Sequence, residues 1–244
     1  MRLRFVSRQD VRRIRSSHLN QPASPCLGLI GGLGVGAAVH YYRALAKAHA
    51  EFHRPLRLVM VHAEVQRAMG YVQSNQLADL TEYLVSLIGQ LKAGGADFAA
   101  IPAATPHVCI DELLPRSPLP LVSLLDVVRQ SISGKRIALF GTRFTIETDF
   151  FGALRGENTI RPQPSEVDQI HEAYVRTAIG GEGTEADRQA LTALAHTLIQ
   201  REQLEAVVFA GTDLALLFNP SNTTFPFIDC AQLHIDAIMK RLFP

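Results

Sequence analysis

From Cys26 onward, short apolar runs alternate with longer amphipathic stretches, the arrangement that βαβ units and a parallel sheet produce. Cys26–Ile30 reads as a first strand and Gly31–Gly36 as the turn after it. Residues 37–52 follow as a helix, with Tyr41, Ala44, Leu45 and Ala48 on one face, and Leu56–His62 as a second strand. Residues 78–93 carry Leu80, Leu84, Leu87, Ile88 and Leu91 at helical spacing. Gly94-Gly95 stops that helix and Asp97–Pro102 is the next strand.

The second half repeats the logic. Lys135–Phe140 is a strand, a turn and a helix through Leu154 follow, and residues 186–203 form a helix with Leu191, Leu194, Ala195, Leu198 and Ile199 on one face. Glu205–Ala210 is the last clear strand. Helix, short turn, apolar strand, small residues and threonine therefore occur twice, reaching Ala103 and Gly211, 108 residues apart. The pattern predicts an α/β chain of two pseudo-symmetric domains, each a parallel sheet flanked by helices. Their strand C-termini face one cleft, where open parallel sheets bind ligands. Pro115–Pro120 and Phe225–Phe227 are the expected crossings. They give a first domain of residues 26–120 plus 227–244 and a second of 121–226, with Gly180–Thr184 as the expected mobile loop.

Composition narrows the function classes. At 47% apolar and 19% charged, the 244-residue chain reads as globular α/β. No apolar run approaches the roughly 18 residues that span a bilayer, so a membrane partner is not expected. Residues 1–25 hold six Arg and one acid, Asp10, for a net charge of +5, leaving 18 basic and 22 acidic residues, net −4, in the rest. A core of that sign gives no reason to expect nucleic acid. The extension reads as a basic, disordered segment, and its composition is also that of an organellar transit peptide. Cys26, Cys109 and Cys230 are far apart and lack metal-ligand spacing. So few thiols fit a reducing, cytoplasmic setting, and no metal is expected. Gly32-Leu-Gly-Val-Gly-Ala37 approximates a dinucleotide fingerprint. That fingerprint wants an acid on the second strand about 20 residues later; the nearest, Glu64, comes 30 after Gly34. The plainer use of such a turn is close helix packing, and no cofactor is expected.

Five patches, in order, carry a family resemblance. They are Leu29-Ile-Gly-Gly-Leu-Gly34 with Tyr41-Tyr42-Arg43; Thr105-Pro-His107 with Asp111-Glu-Leu113; Phe140-Gly-Thr-Arg-Phe-Thr-Ile-Glu-Thr-Asp-Phe150; Gly211-Thr-Asp-Leu214 with Leu216-Leu217; and Phe227-Ile-Asp229 with His234. Together the chain resembles the aspartate/glutamate racemase superfamily over most of residues 26–243. The resemblance implies two α/β domains, a site between them, frequent homodimers and cofactor-independent proton transfer by two cysteines facing the substrate α-carbon. In this chain the thiol positions fall on Ala103 (or Pro102) and on Gly211. Stereoinversion needs a base on one face and an acid on the other, and neither alanine nor glycine exchanges a proton. The family's Asn before the loop threonine is Ala104 here, and the acid after the second threonine is the shorter Asp213.

Other groups are candidates for the missing chemistry. Asp213, His107 and Cys230 are the candidate proton carriers. Each has a plainer reading: a helix-capping acid, a packed imidazole, a buried thiol. Arg143, flanked by Thr142 and Thr145, is the candidate grip for a carboxylate, with a surface ion pair as its alternative. Thr105 and Thr212 hold matching places in the two loops and Gly32 lines the first turn. The expected partner is a small carboxylate or amino acid held in the cleft without racemisation. The alternative is an isomerase, racemase or lyase acting on an acidic substrate with non-cysteine groups.

Overall fold

The computed structural model describes residues 25–243, so the arginine-rich extension lies outside the described residues apart from Pro25. The first lobe opens with β1 (Leu27–Gly31), α1 (Val35–Glu51), β2 (Leu58–His62), α2 (Val65–Gln73) and α3 (Leu77–Ala93). It continues with β3 (Phe98–Ala100), a 3-10 turn (Thr105–Cys109), α4 (Ile110–Arg116), β4 (Leu121–Val122) and α5 (Leu124–Ile132). The second lobe holds β5 (Ile137–Phe140), α6 (Arg143–Glu147), β6 (Thr159–Ile160), α7 (Pro164–Gly180) and α8 (Glu185–Glu202). It closes with β7 (Ala206–Phe209), a second 3-10 turn (Thr212–Leu216) and β8 (Phe227–Asp229), after which α9 (Cys230–Leu242) ends the chain.

All strand pairs are parallel, and the two four-stranded sheets share one order: β2-β1-β3-β4 and β6-β5-β7-β8. Strands β3 and β7 begin 108 residues apart and each runs into a 3-10 turn, so the internal repeat is structural. Sheet membership changes later than the proline-marked crossings suggest. Leu121–Val122 pairs with β3 in the first sheet, and Phe227–Asp229 pairs with β7 in the second. The cause is that parallel pairing extends past each proline, and the chain turns back only at α5 and α9.

Alternation along the strands assigns the layers. Leu27, Leu29, Phe98 and Ala100 bury against Tyr41 and Leu45 of α1 and Ile235, Ile238 and Leu242 of α9. Ile30, Ala99 and Ile101 face the opposite side with Leu84, Ile88 and Leu91 of α3, as the two-residue period requires. A Cβ on Gly28 would lie 3.0–3.1 Å from Leu91 and Ala96, so this strand's glycine sets how closely α3 approaches. In the second lobe Phe209 stacks on Phe218 and Phe227 at centroid separations of 4.9 and 5.1 Å. Among the described residues, no helix is long and apolar enough to cross a membrane.

The expected helix through Leu154 stops at Glu147. Asp149, Phe150 and Phe151 all take positive φ, a conformation that costs non-glycine residues energy; it turns the Phe150 side chain fully into the core.

Candidate functional site

Beyond the ends of β3 and β7, the segments through Ala103–Thr105 and Gly211–Asp213 form the floor between the lobes. Ala103, Ala104, Thr212 and Asp213 are all buried there, at 1–4% exposure. Gly211 has an extended backbone (φ −134°, ψ 126°) that any residue can adopt. Its need for hydrogen at Cα is steric. A Cβ built on it would lie 2.2 Å from Cε2, 2.8 Å from Cζ and 3.0 Å from the hydroxyl of Tyr174. Tyr174, on α7, therefore fills the place where a side chain at 211 would stand.

The same tyrosine holds Asp213. Its hydroxyl donates to Asp213 Oδ2 at 2.9 Å. Asp213 also lies across the N-terminus of α1, where a Cβ on Gly34 would sit 3.3 and 3.4 Å from its two oxygens. Helix α1 has no side-chain cap and no acid in its first turn, so its unpaired amides attract negative charge. Burial pushes the Asp213 carboxyl above its ordinary value, and the Tyr174 hydroxyl and the Ala37 amide pull it back. Oδ1 has no hydrogen bond of ordinary geometry, and neither has the buried Thr212 hydroxyl. The acid thus reaches back to the first turn of α1 as well as to its own turn's amide. Burial and the neighbouring Asp213 charge push the Tyr174 hydroxyl well above the usual tyrosine range, so it stays a donor.

Comparison with known proteins places this arrangement. The family model described as Asp/Glu/Hydantoin racemase matches residues 30–238. The chain belongs to the Asp/Glu/hydantoin racemase family. Its fold is shared with a Yersinia pestis protein proposed to be an Asp/Glu racemase, at TM-score 0.77 and 22% identity over 90% of this chain and 100% of that one. An aspartate racemase homologue from Pyrococcus horikoshii OT3 matches at TM-score 0.75 and 21% identity, covering 90% and 99%. Aspartate racemase from Picrophilus torridus matches at TM-score 0.71 and 19% identity, covering 89% and 94%.

Within this racemase scaffold, two of the candidate proton carriers are built into the core. His107 is fully buried, and its Nδ1 lies 2.9 Å from the Ala103 carbonyl, which requires it to donate. Its Nε2 then accepts the Leu124 amide at 3.3 Å. Both nitrogens are occupied by backbone, so the ring ties the first loop to α5. Burial drives its pKa down to about 4. A second buried imidazole, His234, donates from Nε2 to the Val122 carbonyl at 3.0 Å and accepts the Tyr41 hydroxyl on Nδ1 at 3.1 Å. Burial and His107 lower it to about 3. Cys230 opens α9 with no exposed surface. Burial and then the Asp229 and Asp213 charges push its thiol well above the ordinary range, which favours the protonated thiol.

The polar wall is also spent on the fold. Arg143 pairs with Asp168 and Glu147, the surface ion pair that was the alternative to a carboxylate grip, and the guanidinium lies at the surface of α6 and α7. Thr142 caps α6 by accepting the Thr145 amide at 3.1 Å, and the two hydroxyls bond each other at 2.7 Å. Thr105 opens the first 3-10 turn, after Ala104 at its N-cap. Gly32 has φ +88°, and a Cβ there would meet the Ala63 carbonyl oxygen at 2.3 Å; its role is the β1–α1 turn. Gly36, the last glycine of the fingerprint-like run, lets α1 touch Leu216, which a Cβ would meet at 2.5 Å. In the loop at Gly180–Thr184, Gly183 approaches the body, where a Cβ would lie 2.4 Å from Leu217, and its other residues are exposed. Tyr174, Tyr41 and His234 complete the floor. Tyr174 sits on a helix that residue spacing alone did not single out. Pro164 and Glu166 at its start and Gly181 at its end were the readable signals.

Proposed function

We propose that this protein is a non-racemising member of its family, in which the chain's own Asp213 holds the seat for a small carboxylate at the N-terminus of α1. The observation that carries the reading is the Tyr174 ring standing where a side chain at 211 would project. A thiol there has no room. At the other position Ala103 offers only a methyl group. The two buried imidazoles nearby are fixed as neutral braces by backbone partners, so they do not stand in for the pair. A small acidic amino acid or dicarboxylate competes with Asp213 for the same amides, and its binding is expected to strengthen once that acid is neutralised.

The test is exchange of the α-proton in deuterium oxide with both enantiomers of aspartate and glutamate, read by NMR alongside chiral chromatography. No wash-in is expected. Measurable wash-in that disappears in Asp213→Asn or Cys230→Ala would overturn the reading. A calorimetric titration of succinate into Asp213→Asn should bind more tightly than into the unaltered protein. A second reading, an isomerase or lyase with Asp213 as its base, is favoured by the unpartnered Oδ1 and the raised carboxyl. The same exchange measurement separates the two.

A further inference from the structure

A different cavity, of about 420 Å³, opens between α1, the end of α5, the loop at Phe218–Pro220 and the start of α9. That volume falls in the range of small-molecule sites, and none of Ala103, Ala104 or Gly211–Asp213 lines it. Phe218, Phe227 and Leu233 form its apolar wall, and six polar side chains also line it, of which Lys135, Asp229 and His40 carry a charge or lack a partner.

Those three groups have unspent capacity. Lys135 donates once, to the Ser131 carbonyl at 3.2 Å, and an ammonium carries three donors. Asp229 uses Oδ1 to accept the Ala231 and Gln232 amides at 2.8 and 3.3 Å, which leaves Oδ2 for the cavity. Among the described residues neither Lys135 nor Asp229 takes part in an ion pair. His40 Nε2 is buried with no hydrogen-bond partner, an unmet donor or acceptor that a ligand can satisfy.

The charges choose among ligands. A simple fatty acid or a dicarboxylate would meet the Asp229 carboxylate, and an amine would meet the Lys135 ammonium. A neutral apolar molecule would leave both charges and His40 without partners. A zwitterion with an apolar body satisfies all of them. We propose that this cavity binds a free amino acid with an apolar side chain. Its ammonium pairs with Asp229 Oδ2, its carboxylate takes donors from Lys135 and His40 Nε2, and its side chain packs on Phe218, Phe227 and Leu233. The site does not depend on what the cleft floor does.

The test is isothermal titration of the full-length protein with leucine and phenylalanine of both hands, then with N-acetyl-leucine, leucinamide and glutamate. Binding of the free apolar amino acids is expected, with each blocked derivative and glutamate weaker by about tenfold or more, as loss of one charge-assisted contact implies. Lys135→Met, at an exposed position, is expected to lose about as much. Asp229→Asn keeps an oxygen to cap α9 and removes only the charge, so it should selectively weaken free amino acids relative to their N-acetyl forms. No heat from any amino acid at millimolar concentration would overturn the proposal, as would equal binding of N-acetyl-leucine or unchanged binding in both variants. A protein that racemises aspartate yet binds leucine here refutes the non-racemising reading and leaves this one standing.

Discussion

Replacing Gly211 with alanine tests the packing argument directly. The added methyl would stand 2.2 Å from Tyr174 Cε2, so the ring edge has to retreat by more than an ångström to reach ordinary contact. The backbone at 211 is extended, so no conformational penalty is mixed into the result. Overpacking of a filled core costs about 1–3 kcal/mol. Moving the ring also lengthens the Tyr174 hydroxyl bond to Asp213, and a bond to a charged group contributes about 1.5–3 kcal/mol. The two costs overlap, because one movement of the ring incurs both. A loss of about 3 kcal/mol is therefore expected, equivalent to a fall of roughly 6–12 °C in melting temperature for a chain of this size.

Urea unfolding of four proteins decides the matter: unaltered, Gly211→Ala, Tyr174→Ala and the double variant. Because the two side chains compete for one space, the double variant should be more stable than the sum of single effects implies, by about 1 kcal/mol or more. Gly141→Ala is the matched control. A Cβ there meets Thr145 at 3.4 Å and the Ala210 carbonyl carbon at 3.5 Å, ordinary contacts, and the change should cost much less. A Gly211→Ala protein within about 0.5 kcal/mol of the unaltered one, or additive single effects, would refute the claim that Tyr174 fills this position.

Four further predictions follow from the same geometry. His234 is held at about 3 against an ordinary 6.5, so between those pH values only the unfolded chain binds its proton and stability is lost as pH falls; His234→Gln should flatten the stability–pH slope there by about 1.4 kcal/mol per pH unit in urea midpoints. Asp229, raised to about 6 from 3.8, acts with the opposite sign: its contribution is present below that window and lost as pH rises through it, so Asp229→Asn should steepen the rise in stability from pH 4 to 6. Gly32→Ala should yield little folded protein, judged by soluble yield and circular dichroism, because the methyl faces the Ala63 backbone at a φ of +88°. Arg143→Gln should change stability by no more than about 1 kcal/mol, since both its ion pairs are solvent-exposed.

How much of this was legible in the sequence depends on the range of the contacts involved. Helices with an unbroken apolar face were legible to within a residue or two: residues 78–93 fold as Leu77–Ala93, and 186–203 as Glu185–Glu202. Glycine pairs and threonine caps act locally, so a linear reading finds them. The resemblance in five ordered patches gave the pairing of the two lobes. The floor between them was another matter. Its thiol positions could be named, but the group filling one of them comes from Tyr174, 37 residues upstream on a different helix. Asp213 reaches the first turn of α1 across the lobe boundary, a contact that no spacing along the chain encodes. Arg143 looked like a ligand grip because its flanking threonines are visible in sequence, whereas its acidic partner Asp168 belongs to α7.

On the non-racemising reading proposed above, positions 103 and 211 are not equivalent. Ala103 already carries a Cβ inside the core, so Ala103→Cys adds a single sulfur atom. Gly211→Cys adds a carbon and a sulfur into space held by an aromatic ring, which in turn holds Asp213 over α1. Restoring both cysteines should therefore fail to restore α-proton exchange with aspartate, because the ring and the acid still occupy the seat. Removing Tyr174 as well, by a change to serine or glycine, is the step that reopens the floor to a thiol and a substrate carboxylate together. Exchange by the Ala103→Cys/Gly211→Cys protein with Tyr174 intact would mean that the ring moves aside at little cost. The barrier to racemisation would then lie in two side chains and not, as the packing argues, in the way α7 and α1 close over the β7 loop.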